Sequence, residues 1–125
     1  MMFEITKDFH LSYSHQLDGL PDDHPCTRLH GHNGIVRLHL AAAELDATGF
    51  VIDYRALDGF KRWLDAEYDH QHINDRVDFN PTAELMARHL YGVAEGMGLP
   101  VVAVGWSETP KTWATYRPTE EVDAR

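Results

Sequence analysis

Histidine is the residue in excess: nine occur in 125 positions. Three of them stand where strand geometry can bring them together. His30 and His32 flank a single glycine, Gly31. On a strand, residues i and i+2 point to the same side, roughly 6.6–7 Å apart along the backbone. Two imidazoles so placed can converge on one ion, and Gly31 lets another chain or a ligand approach the backbone closely. By parity His30 and His32 are in phase with Val36, Leu38 and Leu40, and His15 is in phase with Phe9, Leu11 and Tyr13. If the two segments pair as a hairpin, all three rings meet at one end of the core-facing side. Three imidazoles without a fourth protein ligand are what an open catalytic zinc site needs. The competing reading makes the HxH pair a surface feature or a satisfied core polar group. His10, His24, His39, His72 and His89 lack comparable placement and read as surface or capping residues.

Three further features can carry acid–base chemistry. Cys26 lies four residues before His30 in a loop rich in Gly and Pro. A thiol beside a metal and imidazoles is a candidate base or nucleophile. The alternatives are a small buried hydrophobe or a fourth ligand that closes the metal site. Asp69-His70 can pair a carboxylate with an imidazole as a general base. Adjacent residues do not face each other within a helix, so the pair works only if the helix has ended and the backbone turns. Otherwise it is two solvated polar residues. Glu108, at the end of an apolar strand, can hold an amidine-like N–H pair by two hydrogen bonds, or it is an ordinary strand-end acid.

The elements that must position these groups follow from periodicity. Residues 2–15 alternate as a strand, with Lys7 out of pattern, where a bulge or an edge is expected. Residues 16–29 form a loop. Residues 30–45 read as a second strand, Asp46–Gly49 as a hairpin turn, and Phe50, Val51 and Ile52 as its continuation. Asp53 caps a helix over about 54–67 whose stripe is Leu57, Phe60, Trp63 and Leu64. Asn80-Pro81 opens a second helix running to about 96, with Met86, Leu90, Val93 and Met97 as its buried seam and Gly98 ending it. Residues 100–107 and 112–117 are strands around a turn at Thr109–Lys111. The order β-β-α-α-β-β predicts an α+β domain over 1–117, a mostly antiparallel sheet with both helices on one face. A polar tail, 118–125, is expected to fray.

Composition bounds the function. The net charge of −9 disfavours a nucleic-acid partner. No stretch approaches the roughly 18–20 apolar residues of a membrane span. The start has no signal-peptide pattern, and the single cysteine excludes an intrachain disulfide. A cytoplasmic protein is the expectation.

Six motifs in order, YSHQL (13–17), CTRLHGHN (26–33), GFVIDY (49–54), DHQHIND (69–75), NPTAE (80–84) and SET (107–109), give the chain a resemblance from about Phe3 to Tyr116. It resembles the 6-pyruvoyltetrahydropterin synthase / 6-carboxytetrahydropterin synthase family. The resemblance implies the tunnelling fold, in which trimers close their sheets into a barrel and two trimers stack into a homohexamer with active sites between subunits. It implies zinc on His15, His30 and His32, with Cys26, Asp69 and His70 as catalytic groups. It also implies that Glu108 anchors the pterin ring and that Thr82 lines its pocket. The spacing Cys26-x-x-x-His30-Gly-His32 resembles the branch of the 7-deazaguanine (queuosine) pathway. That branch converts 7,8-dihydroneopterin triphosphate and water to 6-carboxytetrahydropterin, acetaldehyde and triphosphate. The alternatives are the pyruvoyl-forming reaction and a non-catalytic zinc or pterin-binding protein. Arg28, Arg37 and Lys111 are candidate triphosphate partners. Gly34, His72, Ile73 and Trp106-Ser107 depart from the family's usual residues.

Overall fold

The computed structural model describes residues 2–118. Apart from Pro118, the expected tail lies outside the described residues. Two long strands, β1 (Phe3–His15) and β2 (His30–Ala42), pair antiparallel. Helix α1 (Asp58–Glu67) follows, then a two-residue strand β3 (Gln71–His72), helix α2 (Ala83–Gly96), and strands β4 (Val101–Thr109) and β5 (Thr112–Tyr116). The sheet order is β3-β1-β2-β4-β5. No helix among the described residues is long and apolar enough to cross a membrane.

The α+β reading holds, with one correction to its topology. The sheet is mixed, because β3 runs parallel to β1, pairing Tyr13 with Gln71 and Ser14 with His72. The cause is local: after α1 the chain turns at His70, whose φ of 60° is left-handed, and lies down along β1. β3 covers only that end. The expected irregularity at Lys7 is an edge and not a bulge. The β1–β2 register is unbroken from Phe3↔Ala42 to His15↔His30, while the outer side of β1 before Ser12 has no strand partner among the described residues.

The parity of the apolar residues builds the core. Phe9, Leu11 and Tyr13 of β1, Val36, Leu38 and Leu40 of β2, and Val104 and Trp106 of β4 are all buried beneath the helices. α1 contributes Phe60 and Leu64, and Leu57 comes from the 3-10 turn Tyr54–Leu57 that precedes it and is capped by Asp53. Trp63 is only partly buried. α2 contributes Met86, Ala87, Leu90 and Ala94.

Three boundaries differ from expectation. β2 ends at Ala42 and does not resume at Phe50–Ile52, because the Asp46 carboxylate accepts the Thr48 and Phe50 N–H groups and wraps the chain into a compact turn. α2 is capped by Thr82, whose hydroxyl accepts from Leu85 N–H, and begins after Pro81. Met97 is 42% exposed and lies outside the seam, because the helix has closed at that residue and Gly98, at φ 81°, turns the chain away.

Candidate metal centre and active-site cleft

The unbroken hairpin register sets His15 directly opposite His30, and Tyr13 opposite His32. The three imidazoles therefore converge, with ligand atoms all within 4.8 Å of one another. Ring centroids are 4.5 Å apart for His15–His30, 5.1 Å for His15–His32 and 4.9 Å for His30–His32.

The outer nitrogens decide what the inner ones can do. His15 Nδ1 lies 3.0 Å from the Pro81 carbonyl, and His30 Nδ1 lies 2.8 Å from the Arg28 carbonyl. A carbonyl only accepts, so each Nδ1 carries the proton and each Nε2 presents a lone pair. Those lone pairs face each other at 2.9 Å. Glu108 Oε2, another acceptor, stands 3.1 Å from His15 Nε2 and 3.5 Å from His32 Nε2. Burial pushes the pKa values of His15 and His32 down, favouring neutral rings. Acceptors crowded in this way repel one another unless a cation sits among them. The donor set thus fits a metal ion, and the carbonyl partners are the outer support that holds imidazole ligands in place.

Paired asparagine clamps hold that support. Asn74 accepts Gln16 N–H and donates to Gln16 O, at 2.8 and 2.9 Å. Asn80 does the same for Asp18, at 2.9 and 3.1 Å. The chain leaving β1 is thereby fastened to the segment that carries Pro81. Leu17 N–H donates to Cys26 O at 2.8 Å, which brings the Cys26 loop to the same corner. There a 3-10 turn, Pro25–Thr27, is capped by His24 Nδ1 accepting Cys26 N–H at 3.1 Å.

These contacts form a cleft of about 310 Å³ lined by His15, Leu17, Pro25, Cys26, His30, His32 and Glu108. Cys26 lines it without joining the ligand group, so among the described residues sulfur does not close the site. Glu108 comes closer to the imidazoles than its position in the chain suggested.

Asp69 and His70 do form a dyad, as a turn after the helix requires. Asp69 Oδ2 is 3.0 Å from His70 Nδ1, and Asp69 Oδ1 accepts Ser12 N–H at 2.8 Å. That backbone hydrogen bond, with the help of His70, holds the Asp69 carboxyl below its usual range. The His70 ring is 80% exposed, however, and neither residue lines the cleft. Thr82 is spent on capping α2. Of the candidate triphosphate partners, Arg37 is committed elsewhere. It makes two hydrogen bonds to Asp8 at 2.7 and 3.0 Å and lies 4.3 Å from the Trp113 ring centroid, on the face of β2 opposite to His30 and His32. Arg28 and Lys111 are exposed.

Several contributors escape a search for reactive residue types. The Pro81 and Arg28 carbonyls are backbone groups and have no sequence signal. Asn74 and Asn80 lie inside recognised motifs but do no chemistry. Tyr13 shares the parity of His15, which is the one signal that could have found it.

Comparison with known proteins agrees with this geometry. Residues 4–119 match the family model described as 6-pyruvoyl tetrahydropterin synthase. The chain is 33% identical over 129 residues to the 6-carboxy-5,6,7,8-tetrahydropterin synthase of Bacillus subtilis, covering 93% of this chain and 86% of that protein. It is 32% identical over 108 residues to the enzyme of the same name from Synechocystis, covering 79% and 80%. Among solved structures, an uncharacterized protein of Wolinella succinogenes superposes with a TM-score of 0.81 at 25% identity, over 95% of this chain and 99% of that one. The 6-pyruvoyl tetrahydropterin synthase of Caenorhabditis elegans superposes with a TM-score of 0.82 at 23% identity, over 95% and 97%, a likeness of fold.

Proposed function

This chain belongs to the 6-pyruvoyl tetrahydropterin synthase family, and on that premise we propose that it is a zinc-dependent 6-carboxy-5,6,7,8-tetrahydropterin synthase. The reaction takes 7,8-dihydroneopterin triphosphate and water to 6-carboxytetrahydropterin, acetaldehyde and triphosphate, as a step toward 7-deazaguanine products. The observation that carries the reading is the convergence of three imidazoles, two of them with a proton-free Nε2, in a cleft lined by Cys26 and Glu108. The relatives named for the carboxy-forming reaction support this branch. The lone free cysteine suits a reducing compartment, and the reading locates the enzyme in the cytoplasm.

His15, His30 and His32 would hold the zinc. The bound ion supplies Lewis acidity that lowers the pKa of hydroxyl groups on the substrate's side chain. Glu108 accepts two N–H groups from the pterin edge and so fixes the ring against the cleft. Cys26, which lines the same cleft, takes a proton from the side-chain carbons. His70 presents its free Nε2 as a second proton carrier, because Asp69 holds Nδ1 as the donor.

The separation of that dyad from the cleft supports a shared site. A cleft of about 310 Å³ is at the small end for a ligand pocket and holds no Lys or Arg for three phosphates. The free edge of β1 and the outer side of β5 are where copies of the chain can continue the sheet. In this reading a homo-oligomer, a hexamer of two trimers, brings the Asp69–His70 dyad of one copy to the Cys26 wall of another. It also supplies the missing cations.

The deciding experiment is incubation of the zinc-loaded protein with dihydroneopterin triphosphate and identification of every product. Acetaldehyde with 6-carboxytetrahydropterin supports the proposal. Retention of all three side-chain carbons replaces it with the pyruvoyl-forming reaction. Binding without turnover makes the chain a pterin-binding protein.

A further inference from the structure

Tyr13 carries no role in the site as described, yet its hydroxyl reaches Glu108, which lines the cleft. The residue is 5% exposed. The Trp106 indole donates its Nε1–H to the Tyr13 hydroxyl at 3.0 Å in a buried contact. A hydroxyl that receives one hydrogen bond still has its own proton to place, and Glu108 Oε2 is the acceptor within reach, at 3.4 Å. The ring is packed edge-on against Trp106 and His15, with centroids 5.2 and 5.4 Å apart.

Glycine at position 34 makes this seat available. A Cβ there would stand 2.9 Å from Tyr13 Cε1 and 2.9 Å from the Ser107 carbonyl oxygen. Both distances are too short for ordinary contact, and the carbonyl is backbone that cannot swing aside. Any side chain at 34 therefore drives the Tyr13 ring off its position.

Metal binding sharpens the point. With a metal held on their Nε2 atoms, His15 and His32 would have no proton to give Glu108. Of the side chains in contact with Glu108 Oε2, Tyr13 is then the one that can donate. We propose that Tyr13, seated over Gly34 and oriented by Trp106, is the positioning residue that aims the Glu108 carboxylate at the N–H edge of a fused heterocyclic substrate. This rests on the reading of Glu108 given above and deepens it.

The test compares wild type with Tyr13→Phe, Glu108→Gln and the double variant, all zinc-loaded. One readout is neopterin affinity by fluorescence titration. The other is the Trp106 indole N–H signal in the nitrogen–proton NMR spectrum. Tyr13→Phe keeps the ring and is expected to leave zinc content and fold intact while weakening neopterin about tenfold, the scale of one hydrogen bond to a charged group. In the Glu108→Gln background the same change is expected to add nothing. Glu108→Gln is expected to shift the Trp106 indole signal when Tyr13 is present and to leave it unmoved in Tyr13→Phe. Unchanged affinity in Tyr13→Phe, multiplicative losses in the double variant, or an indole signal blind to Glu108 overturns the proposal. The indole readout needs no substrate. If wild type fails to bind neopterin while the indole coupling is present, the substrate reading falls and the positioning chain stands.

Discussion

His15 is 1% exposed and His70 is 80% exposed, although each has its Nδ1 tied to an oxygen acceptor. The buried ring is held by a backbone carbonyl, a facing strand and two asparagine clamps. The exposed ring is held by one neighbouring carboxylate. A metal centre needs ligands fixed within a fraction of an ångström, so it is assembled where one chain can determine every position. In the proposed reading a proton carrier needs only reach, and His70 can wait at a surface for a second copy to complete the site.

The strongest way to break this comparison is to remove a ligand. His30→Ala is expected to lose the metal and essentially all turnover, measured as zinc per chain against product formed. An active variant without metal would sink the metal centre. The next effect sharpens the contrast. Cys26→Ala and His70→Ala should each keep about one zinc per chain and lose roughly 10²–10⁴-fold in kcat. Mixing the two inactive variants under conditions that exchange subunits should restore part of the activity, since some sites then receive Cys26 from one copy and His70 from another. No recovery would place the whole site within one chain.

Smaller effects probe the scaffold. Gly34→Ala should cost about 1–3 kcal/mol in denaturant unfolding by overpacking against Tyr13 and the Ser107 carbonyl. Asn80→Ala should cost about 1–2 kcal/mol, because the Asp18 N–H and C=O lose their partner. It should also weaken zinc, since Pro81 is released. An unchanged zinc affinity would detach the clamp from the metal centre.

The smallest effect concerns pH. His89, among Trp63, Tyr68 and Phe79, has its pKa lowered by burial, with Asp78 opposing. A lowered folded value contributes stability that is present above the unfolded value of about 6.5 and lost as pH falls through the folded one. Midpoints of urea unfolding should therefore drop on acidification below that value. His89→Gln should flatten the slope, and an unaltered slope would assign it to other groups.

Much of this architecture was legible in the residues themselves. Strict alternation in two segments put three histidines on the core side. A helix could not hold Asp69 and His70 face to face, which required the turn that is found at His70. These are consequences of fixed periods, and a period is a property of local sequence. The parts that were not legible depend on what meets what. The two-residue strand at Gln71 arises from where the chain lands after α1. The failure of Phe50–Ile52 to resume a strand comes from one carboxylate, Asp46, which outbids the ladder for backbone N–H groups. Arg37 is withdrawn from phosphate binding by Asp8, which meets it across the hairpin.

By itself, the sequence determined the candidate ligands, their phase and the candidate acid–base groups, because side-chain chemistry and strand parity travel with the chain. Only the tertiary structure decided which nitrogen of His15 and of His30 faces inward, because that choice belongs to the Pro81 and Arg28 carbonyls. It also decided that Glu108 and Tyr13 meet across β1 and β4, and that the Asp69–His70 dyad stands outside the cleft. Contacts between distant segments set these outcomes, and no spacing within the chain encodes them.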